Sequence, residues 1–123
     1  MFDDSSPIYL QIAERVKSEI LSGALAEDSQ VMSTNQYAAA YRINPATAGK
    51  GLHELLDEGI IYKRRGIGMF VSPGARARLR EQRSARFFAD VVDPMVDEAC
   101  AVGIPLDDVV DYVRRKKEEG DQS

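Results

Sequence analysis

Between Asn44-Pro45 and Gly59 this chain can do little but form a helix. The Asn44 side chain can accept from the orphan amides of a first helical turn, and proline's fixed φ and missing N–H suit the first helical position. Gly59 is an equally clear stop. Between them Ala48, Leu52, Leu55 and Leu56 fall at i, i+4, i+7 and i+8, which makes one apolar stripe that must pack on a body. The other face carries Ala46, Thr47 and Lys50 near its start and Glu54 and Asp57 near its end. Gly49 and Gly51 each cost about 1 kcal/mol against alanine in a helix interior, so they predict close approach of a neighbouring backbone or a ligand.

The flanking segments give that helix a context. Upstream, Ser33 with Gln36 three residues later is a capping-box pattern opening a short helix, with Tyr37, Ala38 and Tyr41 as its packing positions. Arg42-Ile43-Asn44 is a turn short enough to hold the two helices together. Downstream, Ile60-Ile61-Tyr62-Lys63 and Met69-Phe70-Val71-Ser72 flank Arg64-Arg65-Gly66-Ile67-Gly68, two β-rich runs joined by a basic, glycine-containing loop. Helix, turn, helix and basic hairpin in this order predict a winged helix-turn-helix, which places its second helix in the DNA major groove. Small residues, a hydroxyl and a lysine at the start of that helix suit groove contact, whereas Glu54 and Asp57 would be repelled by phosphate and should stay outside. Lys63, Arg64 and Arg65 would lie along phosphates or in the minor groove.

Charge does not announce a nucleic-acid partner. The 123 residues carry a formal net charge of −4 and are 44% hydrophobic, which suits one compact domain with an appendage. Residues 1–74 hold seven Lys/Arg against nine Asp/Glu, and residues 75–123 hold nine against eleven. The local basic cluster of Lys50, Lys63, Arg64 and Arg65 must therefore carry the reading. Cys100 is the single cysteine, which excludes an internal disulfide and a cysteine zinc site and, on an apolar helical face, predicts a buried structural thiol. No apolar run approaches the roughly 18 residues of a membrane span, and a cytoplasmic protein is expected.

At the start, Met1 to Ser6 is polar and expected to be loose. Pro7 then precedes Ile8, Ile12, Val16 and Ile20, a four-residue recurrence that predicts a first helix ending at Gly23. Residues 24–32 read as a connector in which Val31-Met32 could add a short strand to the hairpin.

Four segments together resemble the GntR family of bacterial transcriptional regulators, in particular its short YtrA-type branch. They are Pro7-Ile8-Tyr9-Leu10-Gln11-Ile12, Ser22-Gly23-Ala24-Leu25, Ile43-Asn44-Pro45-Ala46-Thr47 and the wing from Gly59 to Val71. The resemblance implies a winged-helix DNA-binding domain, a small helical C-terminal dimerisation region and operator binding as a homodimer. It implies DNA-contacting positions at Ser33, Thr47, Lys50 and Gly66. Where the family has Leu-Pro-Ser-x-Arg entering the second helix, this chain has Val31-Met32-Ser33-Thr34-Asn35. Asn35 thus stands in place of a DNA-contacting arginine and could read adenine bidentately. Ala48 and Gly51 also replace larger residues.

Beyond Pro73-Gly74, residues 75–102 read as one long helix with Phe88, Val91, Val92, Met95, Ala99 and Val102 on one face, a kink at Pro94 and an end at Gly103. A last helix opens at Pro105 with Asp107 and Asp108 and closes on Arg114-Arg115-Lys116-Lys117, a charge order that complements the helix dipole. Its stripe is Leu106, Val109, Val110 and Val113. Two such stripes ask for the same region of a second chain in a twofold interface, with Phe88, Val92, Met95, Ala99, Val109 and Val113 as its residues.

The sequence thus predicts a mainly α fold with a small β-hairpin: a winged helix-turn-helix over residues 1–74, then a helical dimerisation region over residues 75–123. The expected function is sequence-specific DNA binding to a pseudo-palindromic operator as a homodimeric transcriptional repressor. The candidate DNA-binding set is Ser33, Thr34, Asn35, Asn44, Thr47, Lys50, Lys63, Arg64, Arg65 and Gly66. The alternative is a winged-helix protein-interaction module that never touches DNA. No nucleophile with its base and no catalytic carboxylate pair is recognisable, so no enzyme, cofactor or metal is expected. His53 and the acids Asp90, Asp93, Asp97 and Glu98 read as solvated helix faces, as do Arg76, Arg78, Arg80, Arg83 and Arg86. About 50 C-terminal residues are too few for a roomy effector pocket within one protomer, so an effector would bind between protomers or domains.

Overall fold

The computed structural model describes residues 2–121. Helix α1 spans Ile8–Ser22. The Pro7 carbonyl accepts from the Leu10 and Gln11 amides at 3.1 and 3.3 Å, and Gly23 closes the helix at φ 87°, a left-handed conformation that glycine adopts without strain. Helix α2, Thr34–Tyr41, opens on a complete capping box: Ser33 Oγ accepts from the Gln36 amide at 3.1 Å and the Ser33 amide donates to Gln36 Oε1 at 2.7 Å. Helix α3, Pro45–Asp57, starts with Asn44 Oδ1 accepting from the Ala46 amide at 2.8 Å. Gly59 at φ 72° then releases the chain into the hairpin.

Strands β1, Ile61–Arg64, and β2, Gly68–Val71, pair antiparallel with Ile61 opposite Val71 and Arg64 opposite Gly68. The connector joins them through one isolated bridge between Gln30 and Phe70, with the Val31 amide donating to the Met69 carbonyl at 2.9 Å. A third strand at Val31-Met32 does not form, because the next residue is already the N-cap of α2.

The chain divides into two compact units after Glu81, so the first unit extends past the expected boundary at Gly74. The reason is apolar: Ala75 and Leu79, at the start of helix α4 (Ala75–Phe87), are buried in that unit's core. There they join Ala13, Val16 and Ile20 of α1, Tyr37 and Ala38 of α2, Ala48, Leu52 and Leu55 of α3, and Ile60, Ile61 and Val71 of the hairpin. Each large aliphatic side chain fully buried here contributes about 1.5–3 kcal/mol over leaving it in water. The N-terminal residues are not loose. Gln11 Nε2 donates to the Asp3 and Ser6 carbonyls, both at 2.8 Å, and the Phe2 ring meets Tyr41 edge-on at 5.7 Å with the Arg15 guanidinium over both rings. Met1 lies outside the described residues.

The second unit holds the end of α4, a π-helical turn over Phe88–Val92, helix α5 (Asp93–Ala101) and helix α6 (Leu106–Asp121). The single helix expected over 75–102 is therefore interrupted upstream of Pro94. Proline offers no N–H to the Asp90 carbonyl, and the Asp93 amide bonds five residues back to Phe88, which widens the turn. Gly103, at φ 78°, ends this segment as expected. Helix α6 does not close on its basic run but continues to Asp121, so Arg114 to Lys117 lie inside it, with Lys116 Nζ 3.7 Å from Glu119 Oε2. Cys100 is exposed and not buried: its neighbour Ala99 takes the inward position, and one residue further along a helix points about 100° away.

Candidate nucleic-acid interface

The interface residues expected from sequence fall into two groups. One gathers at the starts of α2 and α3. Ser33 and Asn44 are both N-caps, and each keeps a donor: the Ser33 Oγ–H and the Asn44 Nδ2–H₂ are not consumed by accepting a backbone amide. Asn35 is exposed, Thr34 and Thr47 are half-buried, and Lys50 is exposed. A Cβ at Gly49 would lie 3.5 Å from Thr34 Cγ2, so the start of α2 meets α3 at this glycine in ordinary contact.

Gly51 carries the tighter approach that the sequence anticipated. A Cβ there would sit 2.8 Å from the Tyr9 carbonyl oxygen and 3.2 Å from Ile12, so α1 and α3 can cross at this distance only without a side chain. The crossing places the Lys50 ammonium 4.1 Å from the centre of the Tyr9 ring. Pro7, Ile8, Tyr9, Ala46, Thr47 and Lys50 then line one open depression at the N-terminal ends of the two helices. Helical spacing on either element alone could not have picked out Tyr9; the pairing exists only across the crossing, and Gly51 was its one signal.

The second group is on the hairpin. Lys63, Arg64, Arg65 and Gly66 are all exposed, and Gly66 turns the tip at φ 77°. Tyr62 stacks on its cross-strand partner Phe70 at 5.8 Å, and the Arg64 guanidinium lies 5.5 Å from the Phe70 ring centre. Two connector residues, which sequence reasoning missed, hold the hairpin. Gln30 Nε2 donates to the Ile67 carbonyl at 3.1 Å, and the Tyr62 hydroxyl donates to Asp28 Oδ1 at 3.0 Å. That bond to a carboxylate holds the Tyr62 pKa above the ordinary tyrosine value.

The arginines after the hairpin are not one solvated face. Arg76 Nε donates to the Leu21 carbonyl at 3.2 Å, and Arg78 donates to the Glu58 and Gly59 carbonyls at 2.9 and 3.3 Å. Both satisfy carbonyls left over at the ends of α1 and α3, where the helix dipole favours a cation. His53 is exposed as expected, with Nε2 3.6 Å from Asp57 Oδ1.

In the second unit, Val92, Met95, Val96, Leu106, Val109, Val110 and Val113 line an apolar groove of about 380 Å³ bordered by Arg114. It unites four of the expected dimerisation residues and leaves out two. Phe88 stands edge-on to Phe87 at 5.6 Å and is 70% exposed, whereas Ala99 is covered within the unit, its carbonyl accepting from the Ile104 amide at 2.8 Å. Among the described residues no group of three or more His, Cys, Asp or Glu could hold a metal ion, and no helix is long and apolar enough to cross a membrane.

No family model matches the chain. The transcriptional repressor NagR of Bacillus subtilis is 39% identical over 66 residues, 54% of this chain, and the chain spans only 27% of that relative's length. The repressor YtrA of the same organism is 28% identical over 110 residues, 89% of this chain and 84% of the relative. Among solved structures, a GntR family transcriptional regulator from Listeria monocytogenes aligns with TM-score 0.71 and 28% identity over 93% of this chain and 98% of that one. The DNA-binding domain of AraR in complex with operator ORX1 aligns with TM-score 0.54 and 25% identity over 58% of this chain and 93% of that one.

Proposed function

Because the chain belongs to the GntR family in its short, YtrA-like form, we infer that it is a sequence-specific DNA-binding transcriptional repressor that grips a pseudo-palindromic operator as a homodimer. The observation that carries this reading is the start of α3. Its cap is complete, small and hydroxylated residues lead the helix, and Lys50 stands exposed beside them while Glu54 and Asp57 trail at the far end.

In this reading Thr47 and Lys50 enter the major groove from α3, and Asn44 donates its free Nδ2–H₂ to a phosphate. Ser33, Thr34 and Asn35 approach from the start of α2, with Asn35 offering both an acceptor and a donor to an adenine edge. Lys63, Arg64, Arg65 and Gly66 of the wing follow the flanking backbone or minor groove. The groove between α5 and α6 would be closed by the same groove of a second copy, setting two recognition helices about 34 Å apart. The relatives compared are transcriptional regulators and not enzymes. The interaction-module alternative leaves this placement of exposed basic residues without a role. Such a regulator works in the compartment that holds the chromosome.

Selection of bound duplexes from a random-sequence pool, at near-physiological salt, tests the reading. An enriched inverted repeat with half-sites about one helical turn apart is expected. Recovery of no sequence above background, from a folded dimer, would overturn it.

A further inference from the structure

The segment Pro7-Ile8-Tyr9-Leu10-Gln11-Ile12 is only partly accounted for by packing. Ile12 belongs to the buried face of α1 and Gln11 ties down the N-terminal residues. Tyr9 does neither: it is half-buried, away from the inward stripe of Ile12, Ala13, Val16 and Ile20, and its ring lies under the Lys50 ammonium at 4.1 Å. We propose that Tyr9 is a positioning residue for DNA binding, its ring face holding Lys50 in the orientation in which it meets a phosphate. The proposal rests on the DNA-binding reading above.

Three features of the site support it. First, lysine is a long flexible side chain that loses rotamer freedom when fixed at an interface. Holding it against a ring before DNA arrives lowers that loss. Second, the partner is an aromatic face and not a carboxylate. A carboxylate would neutralise the ammonium and compete with phosphate, whereas a ring quadrupole orients the cation and leaves its charge whole. The side chains around the depression, from Pro7, Ile8, Tyr9, Ala46, Thr47 and Lys50, include no acid. Third, the contact depends on the α1–α3 crossing at Gly51, so the glycine that permits the close approach also brings the ring under the lysine.

The test is a double-mutant cycle on the full chain, titrated with a mixed-sequence duplex over a range of salt concentrations. The variants are Tyr9→Phe, Tyr9→Leu, Lys50→Met and Tyr9→Leu combined with Lys50→Met. Tyr9→Phe keeps the ring face and should bind as the parent does. Tyr9→Leu keeps apolar bulk but no quadrupole, and should weaken binding about two- to fivefold, the worth of one exposed cation–π contact. With Lys50→Met already present, Tyr9→Leu should cost nothing further, an outcome that a merely structural role for Tyr9 would not give. An equal loss in both backgrounds, or no loss from Tyr9→Leu while Lys50→Met weakens binding, would overturn the proposal and leave the DNA-binding reading intact. Absence of duplex binding by the parent chain would overturn both.

Discussion

The Lys17 ammonium lies 2.9 Å from Glu58 Oε2, tying the middle of α1 to the residue that closes α3. The lysine side chain is only 13% exposed, so this pair is shielded more than a surface ion pair, and Glu14 stands 3.6 Å from the same nitrogen. Lys17→Met should lower stability by about 1 kcal/mol, because it leaves the buried Glu58 Oε2 without its cation. A urea melt that shows no shift in midpoint would contradict this.

Gly49 and Gly51 should respond oppositely to alanine. At Gly49 the new methyl meets Thr34 at an ordinary distance, so Gly49→Ala should stabilise by about 0.5–1 kcal/mol through helix propensity. At Gly51 the methyl would press on the Tyr9 carbonyl and Ile12, and neither backbone nor core can yield cheaply. Gly51→Ala should destabilise by about 1–3 kcal/mol despite the same propensity gain. Thermal melts of the two variants decide the matter.

Burial, with smaller contributions from Glu19 and Tyr41, pushes the pKa of the Tyr37 hydroxyl up to about 12 from the ordinary tyrosine value of 10.0. The folded chain therefore holds this proton more tightly than the unfolded chain. The resulting stability is fully present below about pH 10 and is lost as pH rises from there through about 12. Tyr37→Phe should flatten the fall in melting temperature across that window, which a pH series of melts would record.

How much of this was legible in advance follows from how far apart the interacting residues lie in sequence. The capping box at Ser33, the Asn44-Pro45 start, the Gly59 stop and the presence of the hairpin are decided within a few residues, and the chain carries their signals openly. Each strand is nonetheless shifted by one residue toward the tip, with Arg64 and Gly68 paired and not in the loop. The π-turn at Phe88–Val92, the arginines on the Leu21 and Glu58 carbonyls, and the ring under Lys50 arise only when distant segments meet or bonds re-pair. No periodicity encodes them. The same holds within the groove residues: helical spacing placed Val92, Met95, Val109 and Val113 on apolar faces, but could not tell that Ala99 would be covered by its own chain.

Val113 is 57% exposed, so a charge there should leave the single chain folded. Val113→Asp should nonetheless yield monomers in sedimentation, since pairing two grooves would bury two unpaired carboxylates. A dimer that persists in the variant would place the interface elsewhere.

Arg65 stands exposed at the hairpin tip. If it neutralises one phosphate, Arg65→Ala should make the plot of log affinity against log salt shallower by about 0.9 per site, alongside weaker binding to every sequence. An unchanged slope would remove Arg65 from the interface.

The hydrogen bonds from Tyr62 to Asp28 and from Gln30 to the Ile67 carbonyl fasten the hairpin at its base and near its tip. A wing that hung free would have to surrender its wandering at the operator, and each encounter would wait for it to settle. Here that ordering is completed as the chain folds, so a wing that meets DNA would arrive already ordered. Association should then show little of the heat-capacity change that marks folding coupled to binding.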